Sequence, residues 1–286
     1  MPDQVGREAA GRLADGFGQL AYVLQRVARD PEVHLTNYGE FLELHPPEWE
    51  VEIHENTAWS CAHGLGRWNA DCGCKMRGDW HQRWRAPLRT ALDGLKAHLD
   101  HLFATRGREC FPDPWSARDA YIDVVLDRTP NAIVGFLGQH GHPDLDEEQT
   151  RDALRLLEMQ RDGMLMFTSC GWFFDEISGI ETTQCLHYAA RALHLARHFR
   201  RDLEPDFLQA LQHAPSNLPR YRDGRGVWEL LIRPATVDLD RVLAHSAISL
   251  IYPSRDATGR PYPFDVTVLE QEVRSRGGSH LAFGRL

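Results

Sequence analysis

Three cysteines and one histidine lie within a fourteen-residue stretch of this sequence: Cys61, His63, Cys72 and Cys74. No amphipathic pattern runs through the stretch, and its glycines indicate a loop. Structural zinc takes four Cys or His ligands arranged as a tetrahedron. The spacing Cys-x-His, then eight residues, then Cys-x-Cys supplies such a set. We therefore predict that these four residues bind one metal ion.

The expected ion is zinc, although soft thiolate ligands also suit iron or an iron–sulfur cluster. Four protein ligands leave no open position, which favours a structural ion over a catalytic one. If His63 acts instead as a base, three thiolates would leave one position open, and His54 and His81 are competing ligands. The alternative interpretation is that the four residues are separate structural residues that bind no ion.

A second segment, residues 168–182, places three carboxylates beside a run of three aromatic residues. Partial burial next to aromatic side chains could raise the pKa of a carboxyl group, and general acid–base catalysis needs such tuning. Sugar sites also pair aromatic platforms with carboxylates, and glycoside cleavage uses two carboxyl groups. The candidate catalytic residues are therefore Asp175, Glu176 and Glu181.

Each carboxylate also has a structural interpretation. Glu181 falls in the first turn of a predicted helix, where a negative charge interacts favourably with the helix dipole. Asp175 and Glu176 could simply pair with nearby arginines such as Arg67 or Arg85. The spacing of these residues does not decide between catalysis and structure.

Two further sets of residues have both a structural and a functional interpretation. On one predicted helix, a solvated polar face is favoured over a ligand set for His187, His194 and His198. A sugar groove could be lined by tryptophans, but core packing is the commoner use of Trp80, Trp84 and Trp115.

Helical periodicity dominates the segments around these residues. It predicts helices over 16–29, 86–103, 115–127, from Asp144 or Asp146 to about 166, 180–200 and 236–251. Residues 36–60 are expected to be irregular because two consecutive prolines break any helix. Near the end, period-two alternation from Phe264 onward, on both sides of Arg-Gly-Gly-Ser, predicts a hairpin. The predicted fold class is mainly α: a helical bundle-like domain with a Cys/His loop and a small C-terminal β-hairpin.

The composition excludes several classes of protein. The chain has 286 residues, with 32 Lys and Arg against 41 Asp and Glu. An acidic chain without a long basic run argues against binding to nucleic acid or to an anionic membrane surface. No apolar run approaches the roughly 20 residues that a membrane helix needs, and the N-terminus lacks a secretory signal pattern. We therefore expect a cytoplasmic protein with reduced thiols.

The sequence resembles a known family in four runs: TAWSCAHGLGRWNADCGC, WRAPLRTALDGL, DPWSARDAYIDVVLDR and TSCGWFFDEISGIETTQCLHYAARAL. These runs resemble the uncharacterised helical region that follows the catalytic barrel in a bacterial branch of glycoside hydrolase family 57, and the similarity extends from about residue 15 to about residue 285. The resemblance implies a carbohydrate-active setting. In that family the catalytic carboxylates belong to the barrel, so none of them can be transferred to this sequence.

The resemblance also suggests a division of the chain. Residues 1–45 look like a remnant of the barrel's end, residues 46–252 form the helical domain with the metal loop, and residues 253–286 form the hairpin segment. Three functions compete. The first is a helical, metal-binding module that contributes to carbohydrate binding or processing, with a barrel-bearing protein or a homo-oligomer as partner. The second is a stand-alone metalloenzyme for a carbohydrate or small-molecule substrate. The third is a thiol-based metal or redox sensor.

Overall fold

Helices build most of the chain, as the apolar periodicity predicts. The structure, a computed structural model, describes residues 18–199, 201–251 and 266–285. By its internal contacts the chain divides into two units, Met1–Glu55 and Asn56–Leu286. The predicted boundaries at residues 45 and 252 stay predictions.

The described part of the first unit, from residue 18 on, contains two helices, α1 over residues 18–29 and α2 over Tyr38–Leu44. Residues 16 and 17 of the predicted first helix lie outside the described residues. The expectation of irregular structure over 36–60 is wrong for α2. Asn37 begins this helix, because its side-chain oxygen accepts a hydrogen bond from the Glu40 backbone N–H at 3.0 Å. The helix ends just before the proline pair, which limits its length.

The second unit carries the remaining elements. Its helices are α3 (Gly66–Asn69), α4 (Arg85–Arg106), α5 (Pro114–Ala120), α6 (Ile122–Leu126), α7 (Pro130–His140), α8 (Glu147–Leu165), α9 (Ile180–His198), α10 (Glu204–Leu211), α11 (Gly224–Val227) and α12 (Leu239–Ile251). Short 3-10 turns cover Gly107–Glu109, Ser169–Trp172 and Arg233–Ala235, and a π-helical turn covers Trp228–Ile232. None of the described helices is both long enough and apolar enough to cross a lipid bilayer.

The core of this unit forms around α4. The predicted apolar stripe of that helix is buried along its length, through Leu88, Leu92, Leu95, Leu99 and Leu102. Helix α4 packs against α8, α9 and α10, and α8 packs against α9. Burial of one leucine side chain stabilises a fold by about 1.5–3 kcal/mol, so this stripe is a main source of the stability of the unit.

Several helix boundaries differ from the prediction for identifiable local reasons. The predicted helix 115–127 is two helices, α5 and α6, which meet at Tyr121. Helix α7 was not predicted; Thr129 caps it, and a proline occupies its first position. Helix α10, also not predicted, likewise has a proline in its first turn. Of the two residues predicted to begin α8, Asp144 and Asp146, it is Asp146 that caps the helix, in a reciprocal capping box with Gln149.

The predicted hairpin is present. Strand β1 (Glu270–Arg276) pairs antiparallel with β2 (Ser279–Arg285), and Arg276 lies opposite Ser279. The two-residue turn contains Gly277, whose φ of 60° suits glycine. The predicted starting point, Phe264, lies outside the described residues. The hairpin packs on α12, which agrees with the expectation that so small a sheet needs helical support.

Candidate metal centre

The four predicted ligands meet at one point in the loop before α4. The donor atoms of Cys61, His63, Cys72 and Cys74 all lie within 4.8 Å of one another. The Cys61 sulfur is 3.8 Å from the sulfurs of Cys72 and Cys74 and 3.8 Å from His63 Nδ1. The Cys74 sulfur is 3.5 Å from His63 Nδ1. Residues up to thirteen positions apart thus present their donor atoms to a common centre.

These separations match a tetrahedron around one ion. With zinc–sulfur bonds near 2.3 Å and tetrahedral angles, two sulfur ligands lie about 3.8 Å apart. With a zinc–nitrogen bond near 2.0–2.1 Å, a sulfur and a nitrogen ligand lie about 3.6 Å apart. The two sulfur–sulfur distances from Cys61 and the two sulfur–nitrogen distances to His63 agree with these values to within about 0.2 Å, and the other donor pairs lie within 4.8 Å. A single tetrahedral ion would therefore fit between the four residues.

The loop reaches this arrangement through a short helix and two glycines with positive φ, Gly64 and Gly73. Helix α3 separates the two ligand pairs and returns the chain on itself, so that Cys72 passes close to Gly66. Gly73, between the last two cysteines, has φ +80°. Residues with a side chain rarely adopt this conformation, so glycine here lets Cys72 and Cys74 point to the same side.

The thiols influence one another electrostatically even without an ion. Burial raises the pKa of Cys61, but hydrogen bonds from the backbone and ring of His63 and from the Arg67 backbone outweigh it and lower the pKa to about 6. The pKa of Cys74 is raised by partial desolvation and by the Cys72 and Cys61 sulfurs beside it. A bound dication would favour all three thiolates, because it stabilises each negative charge that it contacts.

Two buried arginines connect the loop to the helical core. Arg67 donates from Nη1 to the carbonyl oxygens of Phe173 and Cys74, at 2.9 and 3.3 Å, and from Nη2 to that of Ser60 at 2.8 Å. Arg85, which is completely buried, donates from Nη1 to the Cys72 sulfur at 3.7 Å. The Arg85 guanidinium therefore lies beside a ligand sulfur, where its positive charge would offset part of the negative charge that three thiolates add to a dication, while Arg67 ties the backbone of the loop to that of Phe173.

Burial of the Arg85 guanidinium is energetically unfavourable. Its pKa is lowered because desolvation disfavours the guanidinium charge, an effect that the nearby Cys72 sulfur opposes. Its Nη2 contacts the carbonyl oxygens of Phe173 and Phe174 at 3.4 Å each. A guanidinium held in this way stays charged, so it lies next to the thiolate of Cys72 as a fixed cation.

Asp175 lies beneath the same loop. One carboxylate oxygen accepts hydrogen bonds from the backbone N–H groups of Met76 and Arg77, both at 2.7 Å, and the other accepts from Gln82 Nε2 at 2.8 Å. Its backbone carbonyl accepts the Trp84 indole N–H at 3.0 Å. The side chain is nearly fully buried. Asp175 thus fixes the chain just after the last cysteine.

Glu176 is bound to a different segment. Its carboxylate accepts hydrogen bonds from the Ser216 hydroxyl at 2.5 Å and from the Asn217 backbone N–H at 2.7 Å. The Asn217 side chain then binds the backbone of His81 in both directions, at 2.9 Å each. Glu181 lies at the start of α9, partly exposed. The assignment of these three carboxylates to catalysis stays a prediction, and the contacts of Asp175 and Glu176 are those of structural residues.

The suggested ion pairs of these carboxylates with arginine do not form. Arg67 and Arg85 do lie at the aromatic–acidic segment, but their hydrogen bonds to it go to its backbone carbonyl oxygens. The carboxylates of Asp175 and Glu176 are instead satisfied by backbone N–H groups, an amide and a hydroxyl. The charge pattern of the sequence could not predict that these arginines bind carbonyl oxygens instead of carboxylates, because every residue has a carbonyl oxygen.

Other predicted residues take ordinary positions. Trp84 is fully buried, as the core interpretation holds, while Trp115 packs edge-on against Phe103. His198 binds Asp152 at 2.8 Å, and the histidines of α9 are not part of a metal-binding group among the described residues. Of the two competing ligands, His81 is outside the cluster and His54 belongs to the other unit.

Sequence reasoning missed the residues that bind the buried carboxylates of Asp175 and Glu176: Gln82, Ser216 and Asn217. Asn217 is 136 residues from His81 along the chain. A polar residue in a turn gives no local sign of such a contact, so only the three-dimensional fold identifies it.

Comparison with known families places the helical part of the chain. Residues 80–286 match the family described as a domain of unknown function, DUF3536. The chain belongs to this family. No curated protein and no solved structure matches it. All four ligands precede the start of the matched segment, whereas Arg85 and Asp175, which hold the ligand loop, lie inside it. The centre is therefore shared between the DUF3536 segment and the residues before it.

Proposed function

We propose that this DUF3536 chain is a helical module that binds one zinc ion in a closed structural site and works beside a carbohydrate-active unit. The observation that carries the metal part is the meeting of four soft donor atoms within 4.8 Å of one another, with the Cys61 sulfur 3.8 Å from both other sulfurs, as expected around a single tetrahedral ion. Three cysteines and one histidine are a common structural zinc set.

The same spacing favours one ion over an iron–sulfur cluster. A cluster places several iron and sulfide atoms between its cysteine ligands, which therefore lie farther apart than the ligands of one ion. Sulfur–sulfur distances of 3.8 Å leave room for a single ion only. Among single ions, zinc suits a closed tetrahedral site of thiolates and imidazole.

The geometry supports a structural role for the ion. All four tetrahedral positions are taken by protein atoms, so no position is left for a water or a substrate. The nearby carboxylate of Asp175 is occupied by the loop that it anchors. The ion would link residues 61–74 into one rigid turn, and Arg67 and Arg85 would attach that turn to the helical core. This reading is favoured over a stand-alone metalloenzyme.

The carbohydrate part of the proposal is supported by the resemblance to the helical region of family 57 glycoside hydrolases and by exposed apolar surface. In the first unit, Leu20, Val23 and Leu24 share one face of α1 and are all exposed. In the second unit, Leu281 and Phe283 of the hairpin are exposed as well. Exposed apolar surfaces of this kind commonly mark binding surfaces, which agrees with a module that completes a larger assembly.

Metal analysis tests the first part directly. Elemental analysis of purified chain should find one zinc per chain, and anomalous diffraction should place it between the four ligands. Cys72→Ser should lose the zinc, whereas Cys170→Ser, which changes an exposed cysteine outside the cluster, should keep it. The proposal would be contradicted if the purified wild-type chain contained no metal between the three sulfur atoms.

The carbohydrate part has its own test. Calorimetric titration of the zinc-loaded chain with α-glucan and α-mannoside oligosaccharides should show binding. Capture of a barrel-bearing protein would support the proposal as well. If the zinc-loaded, folded chain binds neither, the carbohydrate setting is wrong while the metal site stands.

A further inference from the structure

A second site candidate lies in the helical unit and shares no residue with the metal centre. A cavity of about 670 Å³ opens between the end of α9, the start of α10, the π-helical turn and the start of α12. This volume lies within the range of pockets for small molecules. Its charged lining is unusual, because three arginines from three different segments reach it: Arg197, Arg233 and Arg241.

The buried wall of the cavity is apolar. Leu193 and Trp228 are almost completely buried and form part of the lining, and Val237 adds a partly exposed apolar side chain. The arginines differ from this wall, since about half of each side chain is exposed. A molecule in the cavity would therefore meet both buried apolar side chains and solvent-exposed guanidinium groups.

Glu204 holds two of the arginines in place. Its side chain is largely buried, and its Oε1 accepts hydrogen bonds from Trp228 Nε1 at 3.1 Å and Arg233 Nη2 at 2.6 Å. The other carboxylate oxygen binds Nη2 of Arg197. Both acceptor atoms of Glu204 are thus used, and the two guanidinium groups are fixed at one side of the cavity before any ligand arrives.

The two fixed arginines keep donors for a ligand. Among the described residues, carboxylates contact Arg197 only at Nε and Nη2, through Asp202 and Glu204. The carboxylates of Glu204 and Glu229 contact Arg233 at the same two nitrogens. A guanidinium carries five N–H donors, so the Nη1 groups of both arginines remain for another acceptor.

The positive charge of the arginines acts locally. The pKa of His194, which also lines the cavity, is lowered by partial desolvation and then by the positive charges of Arg191 and Arg197. Each cavity arginine has a carboxylate partner, and that of Arg241 is Asp238 at 3.7 Å. An anion would therefore be held by N–H donors that these ion pairs leave over, and not by an excess of positive charge.

We infer that this cavity binds a small organic phosphate monoester, with the phosphate held by Arg197, Arg233 and Arg241 and the organic part against the apolar wall. Guanidinium forks recognise phosphate and carboxylate oxygens through paired N–H donors. A phosphate offers three outer oxygens to three arginines, whereas a carboxylate offers only two. This site goes beyond the proposed metal-binding function and does not depend on it.

Phenyl phosphate, benzoate and phenol are suitable probes, since they share one ring and differ in the head group. Titration calorimetry on the full zinc-loaded chain should show phenyl phosphate binding with a dissociation constant of about 1 mM or lower. Benzoate should bind clearly more weakly, and phenol should not bind measurably. Equal binding of benzoate and phenyl phosphate would overturn the assignment to phosphate.

Substitutions test whether the binding occurs in this cavity. Arg233→Gln and Arg241→Gln should each weaken phenyl phosphate binding about tenfold, because each removes a charged donor. Arg151→Gln is the matched control: this arginine is about as exposed, and its ion pair is with Glu147 in α8, away from the cavity lining. Unchanged binding in both cavity variants, or an equal loss in the control, would overturn the inference.

A measurement on the wild-type chain avoids any folding defect of the variants. NMR titration of the His194 ring should show its pKa rise when phenyl phosphate is added, because a bound anion opposes the positive charge of the arginines. Phenol should cause no such rise. A His194 pKa that is unchanged at saturating phenyl phosphate would refute binding in the cavity.

Discussion

Replacement of Arg85 by methionine tests how the helical core supports the metal centre. Arg85 is completely buried and lies 3.7 Å from the Cys72 sulfur. Methionine keeps most of the hydrocarbon volume and removes the charge. Substitution of a residue that supports a metal ligand typically weakens metal binding by about 10–100-fold, which corresponds to about 1.4–2.7 kcal/mol. We expect a loss of zinc affinity in this range.

The effect on stability without the metal should be separate and modest. The carbonyl of Phe173 keeps Arg67 as a donor at 2.9 Å, so the acceptors that lose their contact to Arg85 are the Phe174 carbonyl, the Gln82 amide oxygen and the Cys72 sulfur. An acceptor left without a partner costs about 1–3 kcal/mol. The metal-free variant should therefore unfold at lower urea concentration, by about 1–3 kcal/mol of unfolding free energy.

The two effects can be measured on the same samples. Competition with a chromophoric chelator gives the zinc affinity, and urea unfolding with and without chelator gives the stability. Arg89→Met, one turn later on α4, is the control because that side chain is about half exposed and pairs with Asp93, away from the cysteines. A folded Arg85→Met chain that holds zinc as tightly as the Arg89→Met chain would refute the role assigned to Arg85.

Three further changes have defined outcomes. Removal of zinc by a strong chelator should destabilise the chain by about 4 kcal/mol when free zinc had been a thousandfold above its dissociation constant, and calorimetry should show a melting temperature about 8–16 °C lower. Gly73→Ala should weaken zinc binding and destabilise the zinc-bound chain by about 1–2 kcal/mol, because alanine is strained at φ +80°. The control is Gly78→Ala, since Gly78 lies in open space with an ordinary φ. This control should change neither the zinc affinity in chelator competition nor the stability in urea unfolding. Burial, together with the charge of Glu158, raises the pKa of Asp162 from 3.8 to about 6 in the folded chain. The fold therefore loses stability as the pH rises from about 3.8 to about 6, the full loss is present above pH 6, and none is present well below pH 3.8. Asp162→Asn should therefore raise stability by about 1–2 kcal/mol at pH 7, after a discount for solvent screening, and urea unfolding near pH 3 should show no gain; an equal gain at both pH values would contradict this assignment.

The ligands of the metal centre could be predicted from sequence because they are close together and chemically distinctive. Cys61, His63, Cys72 and Cys74 stand in one loop, and no other residue types suit a soft metal as well. The long helices were predictable for a similar reason, since α4 repeats leucine at helical spacing over many turns. Information of this kind is local and needs no knowledge of the fold.

The supporting contacts could not be predicted in the same way. Arg67 reaches the carbonyl of Phe173 across 106 positions of sequence, and Glu176 reaches Asn217 across 41. The partners are backbone atoms or common polar side chains, which carry no pattern. The short helices α2 and α7 were missed because they depend on single capping residues, Asn37 and Thr129, rather than on a repeated apolar face.

The position of the cysteine loop affects how the DUF3536 segment can be isolated. A fragment that begins at residue 80 keeps Arg85, Gln82 and the Asp175 carboxylate. It loses the Cys72 sulfur and the Met76 and Arg77 amides to which Arg85 and Asp175 are bound. The Arg85 guanidinium and the Asp175 carboxylate would then lie at a newly exposed surface without these partners. Expression of the helical part of this chain should therefore start upstream of Cys61, since the edge of the matched segment cuts through a continuous polar interior.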